Sequence, residues 1–377
     1  MKGYIMSVNG LLKGIRKKTG SASFKESKLG SIDHYIDTGC YALNRIVSGS
    51  IHKGIPCGRI ILISGESATG KSLIAAQIAG NAINRNNYDH IFYFDSEGGA
   101  LKEFFENRGC DSDKIEHVPL KSIEDATVTI LGVYNAIEDF KKTNPDAKFL
   151  CILDSLGALV ATKLQTDAAK GKQVQDMGLA AKLKNNLMKG LMMPSLLTNT
   201  GFIVTNHVYD DPASMFPSKI KRQGGGKGII YLNHVGIQCT KSLEKAESTD
   251  DVEAKYKGTH LKFFTIKNRI VKPFYETEMY IDFGKGIKKY DGLFEPAKDY
   301  GLLLNPKQGY YQIPEYSDKM FRKSQLLEGD EADKAWGTIL DKFEEASVKD
   351  MQYSKYETIQ IEDNVDEGSD SGEEDNT

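Results

Sequence analysis

A chain that runs Ile60-Ile61-Leu62-Ile63-Ser64, then Gly65-Glu66-Ser67-Ala68-Thr69-Gly70-Lys71-Ser72, then Leu73-Ile74-Ala75-Ala76 has few ways to fold. The consecutive apolar residues, mostly β-branched, read as a strand buried on both faces. Glycine at Gly65 and Gly70 ahead of Lys71-Ser72 has the spacing of a phosphate-binding loop, and the stretch from Leu73 reads as a helix. The glycines let backbone N–H groups curl round phosphate oxygens without a Cβ in the way. The helix start adds unpaired donors and partial positive charge. Lys71 is placed to reach β/γ-phosphates, and the Ser72 hydroxyl to ligate Mg²⁺.

The same strand-then-polar pattern recurs downstream. Ile91 to Phe94 run into Asp95, Glu97 and Gly98-Gly99; Phe149 to Leu153 run into Asp154; Phe202 to Asn206 run into His207. Between them lie helical stretches, Leu101 to Arg108 stopped by Gly109, and Ser122 to Lys142 with Ile123, Ala126, Ile130, Val133 and Ile137 on one side. Strands alternating with helices predict a mainly parallel, three-layer α/β sheet. In such sheets ligands bind at the carboxyl ends of strands, where all four polar endings fall. Asp154 is a candidate Mg²⁺ ligand, the alternative being a helix cap that Ser155 could equally supply. Glu97 is placed to orient and deprotonate an attacking water, with Asp95 its partner or a cap. In the second half, Val235–Lys241, Leu261–Lys267 and Glu276–Phe283 read as antiparallel strands around a polar hairpin from Glu244 to Thr259. Tyr290 to Tyr311 is turn-rich, and Ser324 to Val348 reads as helix.

Composition narrows the class. No apolar run approaches a membrane span, and the N-terminus lacks a secretory signal's apolar core. The cysteines Cys40, Cys57, Cys110, Cys151 and Cys239 are scattered and odd in number, which predicts reduced, structural thiols in a cytoplasmic protein. The net charge of −3 hides an asymmetry, because the eight carboxylates after Ile361 leave the remaining chain at +5. An acidic tail on a basic body either competes with nucleic acid for that body or simply solubilises it.

Taken together, IDTGCYALNRIVSG, GESATGKS, FYFDSEGG, ILDSLGALV, FIVTNHVYD, QGGGKG, IKNRIVKPF and YDGL…YGLL…GYY resemble the RecA family of strand-exchange ATPases, and within it the UvsX recombinases of tailed phages. The likeness spans Ser31 to Tyr311. It implies a RecA-like P-loop NTPase core over residues 31–311, with antiparallel strands added in its second half. Outside it lie an N-terminal arm for oligomerisation (1–30), a small helical appendage (312–360) and an acidic disordered tail (361–377). It further implies ATP with Mg²⁺ as the cofactors, and stacking of Phe104 and Tyr290 near adenine. His207, otherwise a plain strand-end hydrogen bonder, becomes a γ-phosphate sensor. Lys267 and Arg269 alternate across Asn268 on one strand face, and the resemblance sends them to the γ-phosphate of the adjacent subunit.

Two segments read as DNA contacts. One, Thr162 to Gly178, carries Lys163, Lys170, Lys172 and Gln173. The other, Val208 to Gly228, carries Met215, Phe216, Lys219, Lys221, Arg222, Gly224, Gly225, Gly226 and Lys227. Cations neutralise phosphates, glycine amides approach them, and Met215 and Phe216 can wedge or stack between bases. The expectation is an ATP-dependent recombinase that forms helical filaments on single-stranded DNA and pairs it with homologous duplex. Its expected place is the cytoplasm, that of the host if phage-encoded, aided by a single-strand-binding protein and a loading mediator. The rivals are a RecA-fold hexameric helicase, for which residues 1–30 leave no separate N-terminal domain, and a non-catalytic RecA-like mediator, against which intact Lys71, Ser72, Glu97 and Asp154 count.

Overall fold

A computed structural model describes residues 8–172, 178–210, 219–241 and 258–353. Its centre is a sheet of strands β1 (Ile60–Gly65), β2 (His90–Asp95), β3 (Ile115–Pro119), β4 (Phe149–Asp154), β5 (Gly201–Tyr209), β6 (Arg222–Gln223), β7 (Val235–Lys241), β8 (Gly258–Asn268), β9 (Glu276–Asp282) and β10 (Gly286–Ile287). The order across the sheet is β10-β9-β8-β7-β1-β5-β4-β2-β3, and β6 pairs with β5.

The apolar runs are continuous because both sheet faces are covered. Ile61 and Ile63 of β1 enter one core cluster, while Ile60 and Leu62 enter the other. On the first face lie α2 (Tyr41–Ser48) and α3 (Lys71–Asn86), whose buried residues include Leu43, Ile46, Ile74 and Ile78. On the second lie α5 (Ile123–Lys141) and α7 (Leu179–Thr198). The start of α5 follows from local chemistry: the Ser122 hydroxyl accepts from the Asp125 N–H at 3.1 Å, with Glu124 and Asp125 in the first turn. Its predicted apolar side is buried at Ile123, Ala126, Ile130 and Ile137.

The structure alters several expected elements. β7 is antiparallel to β8 but parallel to β1, so it extends the parallel sheet past the phosphate-loop strand. The reason is its route: β7 re-enters the sheet beside β1 after a connection from β5, not through a hairpin. The helix predicted from Leu101 is the shorter α4 (Lys102–Glu106), and the predicted DNA segment at Thr162 opens with a helix, α6 (Thr162–Ala169). Most of the hairpin expected at Glu244–Thr259 and all of the acidic tail lie outside the described residues.

Helix α1 (Val8–Thr19) buries none of its side chains. The short helix α8 (Gly228–Tyr231) follows β6, and α9 (Phe294–Asp299) falls in the turn-rich stretch. The predicted helix from Ser324 is two, α10 (Asp330–Gly337) and α11 (Leu340–Met351). Phe321, Leu326, Trp336 and Phe343 from this part join the same core cluster as Ile61 and Ile63. The contacts with α2 and its following turn are polar as well. The Ser347 hydroxyl donates to the Gly49 carbonyl at 2.7 Å, and the Ile51 N–H donates to Glu344 at 2.8 Å. The buried Arg45 donates to the Tyr300 hydroxyl at 2.7 Å and meets Asp350 at 3.5 Å.

Candidate nucleotide site

The loop from Gly65 to Lys71 joins β1 to α3 at the carboxyl end of the sheet. Its curl requires unusual backbone: Gly70 lies at φ 67 and Ala68 at φ 58, both left-handed. A Cβ on Gly65 would meet the Thr69 hydroxyl oxygen at 2.5 Å and the Cys239 carbonyl at 2.8 Å, so no larger residue fits. The Lys71 ammonium is buried inside the curl, donating to the carbonyls of Gly65 (3.1 Å) and Glu66 (2.8 Å). Burial lowers its pKa, against the pull of nearby Cys239, Asp154, Glu97 and Glu66.

Register brings the other strand ends to this level. Gly65 is paired with His207 across β1 and β5, and Asp95 with Asp154 across β2 and β4. One cavity of about 440 Å³ is lined by Ser67 to Leu73, Glu97, Phe104, Asn107, Arg108, Asp154, His207 and Phe283. That is within the range of small-ligand sites. Lys71, Glu97, Asp154 and His207, predicted from four separate strand ends, therefore face one space.

Glu97 sits at the cavity wall with His207 Nε2 2.9 Å from its Oε1, and the Ser155 hydroxyl on the same oxygen. Burial pushes the Glu97 pKa up. The hydrogen bonds from Ser155 and His207, with the charges of His207 and Lys71, outweigh it and hold the carboxyl below the usual range. An ionised carboxylate only accepts, so His207 Nε2 is the donor. Asp95 makes no catalytic approach. Its carboxylate accepts from the N–H groups of Glu97 (2.9 Å) and Gly98 (2.7 Å) and meets His117 Nε2 at 3.1 Å, which fixes the loop that carries Glu97. The Asp154 carboxylate accepts from Tyr93 (2.6 Å) and from Thr205. Among the described residues no group of three or more His, Cys, Asp or Glu is arranged to cage a metal. Mg²⁺ needs none, since it keeps waters and takes one or two protein oxygens beside phosphates.

The RecA N-terminal domain family matches residues 7–288. This chain belongs to the RecA family. The "Recombination and repair protein" of Enterobacteria phage T4 is 26% identical over 309 residues, 80% of this chain and 74% of the relative. "Protein RecA" of a Nocardioides species is 25% identical over 250 residues, 66% of each chain. That of Malacoplasma penetrans is 25% identical over 301 residues, 80% of this chain and 84% of its own. The motif-based resemblance to RecA proteins and phage recombinases is thereby supported across most of the chain.

Within this RecA fold, some predicted residues lie elsewhere. Tyr290 does not line the cavity: it is 1% exposed, stacks on Trp336 at 5.5 Å, and donates its hydroxyl to Asp333 at 2.5 Å. The return of α10 over the core is what buries it. Lys267 and Arg269 are at the opposite, amino end of the parallel strands, since Asn268 pairs with Val235 and Val235 with Ile61. The pair does not share a clean strand face. A register shift separates Thr265 from Lys267, and Arg269 falls past the strand end. The Lys267 ammonium donates to the carbonyls of Ile230 (3.0 Å), Tyr231 (2.6 Å) and Asn233 (2.7 Å) around the end of α8.

Of the predicted DNA contacts, Gln173, Met215 and Phe216 lie outside the described residues. Lys172 is 3.9 Å from Asp167, and Lys219 pairs with Glu276 at 2.9 Å. Lys221 pairs with Glu66 and Asp210. Arg222 enters β6, and Lys227 precedes α8. Two of the three glycine amides expected to approach phosphates are used internally: Gly224 N–H donates to the His207 carbonyl (2.9 Å) and Gly226 N–H to that of Gln223 (3.0 Å). Gly225 at φ 90 and Gly226 at φ 86 also take left-handed backbone.

Sequence reading also missed three lining residues, Asn107, Arg108 and Phe283. The Arg108 guanidinium lies 4.0 Å from the centre of the Phe104 ring and donates to the carbonyls of Phe104 (2.5 Å) and Phe283 (2.8 Å). Its spacing of four from Phe104 on a helical pattern was the available signal.

Proposed function

We propose that this chain binds ATP with Mg²⁺ in the cavity at Gly65–Leu73, hydrolyses the ATP, and works as a DNA recombinase. The observation that carries the reading is the meeting of Lys71, Glu97, Asp154 and His207 in one cavity on a RecA fold. Lys71 and the loop amides hold the phosphates. Glu97, kept ionised, orients water and takes its proton. His207 donates to Glu97 and stands beside the phosphate seat, where it registers an added oxygen anion. Ser72 and Asp154 would hold Mg²⁺, directly or through water, and the ion when bound would supply charge neutralisation for the phosphates. Phe104, with Arg108 against its ring, forms the base end.

Lys267 and Arg269 cannot serve their own cavity from the amino end of the sheet. They fit instead the reading in which each subunit completes the site of the next, so that hydrolysis requires a filament. Single-stranded DNA and homologous duplex are the substrates, bound through the segment after His207; a single-strand-binding protein and a loading mediator belong to the same proposal. Strand exchange with wild type and Glu97→Ala tests it. Wild type should convert single strand and homologous duplex to joint molecules. Glu97→Ala should lose ATP hydrolysis by roughly 10²–10⁴-fold, the usual worth of a general base. Wild type that never pairs homologous DNA, while still hydrolysing ATP with DNA present, would overturn the recombinase reading in favour of a helicase or mediator.

A further inference from the structure

The phosphate loop and the segment after His207 share a contact that none of the hydrolytic roles above uses. The Lys221 ammonium pairs with the Glu66 carboxylate of the phosphate loop and lies 3.2 Å from Asp210. Asp210 precedes residues 211–218 and Lys221 follows them, so one lysine ties both flanks of this segment to the loop. The backbone there is fixed from beneath. Lys221 N–H donates to the Gln238 side chain (2.8 Å), which donates to the Lys219 carbonyl (2.8 Å). The Gln223 amide donates to the hydroxyl of Ser64 (3.1 Å), the residue before Gly65. The Lys221 side chain is 18% exposed, against 44% for Glu66 and 77% for Asp210. The bond to Glu66 raises the Lys221 pKa, so the lysine stays charged.

A lysine ammonium is a compact point charge that one anion can take from another. A DNA phosphate reaching this segment meets an ammonium already held by two carboxylates. We propose that Glu66 competes with a DNA phosphate for Lys221, so that the phosphate loop withholds one cation from DNA when no nucleotide is bound. Nucleotide phosphates seated on the loop draw off the Lys71 ammonium that otherwise holds the Glu66 carbonyl at 2.8 Å and repel the Glu66 carboxylate, so the loop turns Glu66 away from Lys221, which gives the differential affinity that any such switch requires. The proposal rests on the reading of residues 208–228 as a DNA contact.

The test is anisotropy of a fluorescein-labelled oligothymidylate with the full chain, with and without ATP and Mg²⁺, over a salt series. Glu66→Gln should bind the oligonucleotide roughly two- to fivefold more tightly without nucleotide, the weight of one partly exposed ion pair. Its log–log salt slope should steepen by about 0.7, one added phosphate contact on a single strand. The gain from ATP should shrink by the same factor. Lys221→Gln should weaken binding with ATP, and adding Glu66→Gln to it should change nothing further. Asp210→Asn, a surface change, should act in the direction of Glu66→Gln and keeps the test available if that variant folds poorly. Wild-type affinity and slope in both Glu66→Gln and Asp210→Asn, where wild type itself binds, would overturn the competition alone. So would a Glu66→Gln effect that survives in the Lys221→Gln background. Wild type that binds no oligonucleotide in any nucleotide state would overturn the DNA reading and this proposal with it.

Discussion

Gly157→Ala tests the site through a residue that has no reacting group. Gly157 is not in the left-handed region, so alanine suits its backbone. Space is the constraint: the new Cβ would lie 2.6 Å from His207 Cδ2 and 3.1 Å from Asn206 Oδ1. Ordinary contact begins near 3.4 Å, so the imidazole must move by about 0.8 Å. A shift of that size along the 2.9 Å bond between His207 and Glu97 takes it past hydrogen-bond range. A hydrogen bond to a charged group contributes about 1.5–3 kcal/mol, which is roughly ten- to a hundredfold in rate. Steady-state phosphate release at saturating ATP and single-stranded DNA gives the rate, and thermal melting checks the fold. Gly132→Ala is the control. It lies inside α5 with nothing within 4 Å of a new Cβ, and should stabilise the chain by about 0.5–1 kcal/mol with no effect on rate. A Gly157→Ala rate within twofold of wild type, at an unchanged Tm, would refute the claim that His207 acts through Glu97.

Two further outcomes follow from the charges around the site. Burial, with Arg269 adding to it, lowers the Lys267 pKa to about 8, against 10.5 ordinarily. In the proposed filament the neighbour's phosphates would draw that pKa back up, so the rate of DNA-stimulated hydrolysis should hold through pH 8 and fall only above it. The same group's effect on stability has the opposite sign. Between about 8 and 10.5 the unfolded chain binds more protons there, so its contribution to stability rises with pH; a pH-rate profile beside a melting series separates the two. Arg108→Ala removes the cation over Phe104, and KM for ATP should rise by roughly two- to thirtyfold, the range of a cation–π contact, with kcat less affected. Equal loss in kcat and kcat/KM would place Arg108 in transition-state chemistry instead.

The parallel half of the sheet and its strand-end residues were legible because one physical rule, burial of both faces, writes the same apolar run at Ile60, Ile91, Phe149 and Phe202. Glu97 and His207 could be named from their place at strand ends, but not their mutual bond, which depends on register between strands far apart in sequence. Tyr290 was misjudged because nothing local announces that Trp336, well downstream, will cover it. The glycine run at Gly224 looked like a phosphate cradle. What periodicity does not show is the approach of Asn206 and Gly157, each within 4 Å of where a Gly224 Cβ would stand. Lys267 was readable as a cation, but not as a plug for the carbonyls at the end of α8. These features are set by long-range packing, which periodicity does not encode.

The grip of α11 on α2 also bears on the order in which the chain acquires its structure. Gly49, Ile51 and Arg45 are made early, yet their partners Ser347, Glu344 and Asp350 are made nearly last. During synthesis the first helix of the core must wait for the carboxylate partner of its guanidinium until almost the whole described chain has left the ribosome. A nascent chain stalled before Asp330 would hold a half-finished ATPase with an apolar gap where Trp336 belongs, a natural substrate for chaperones.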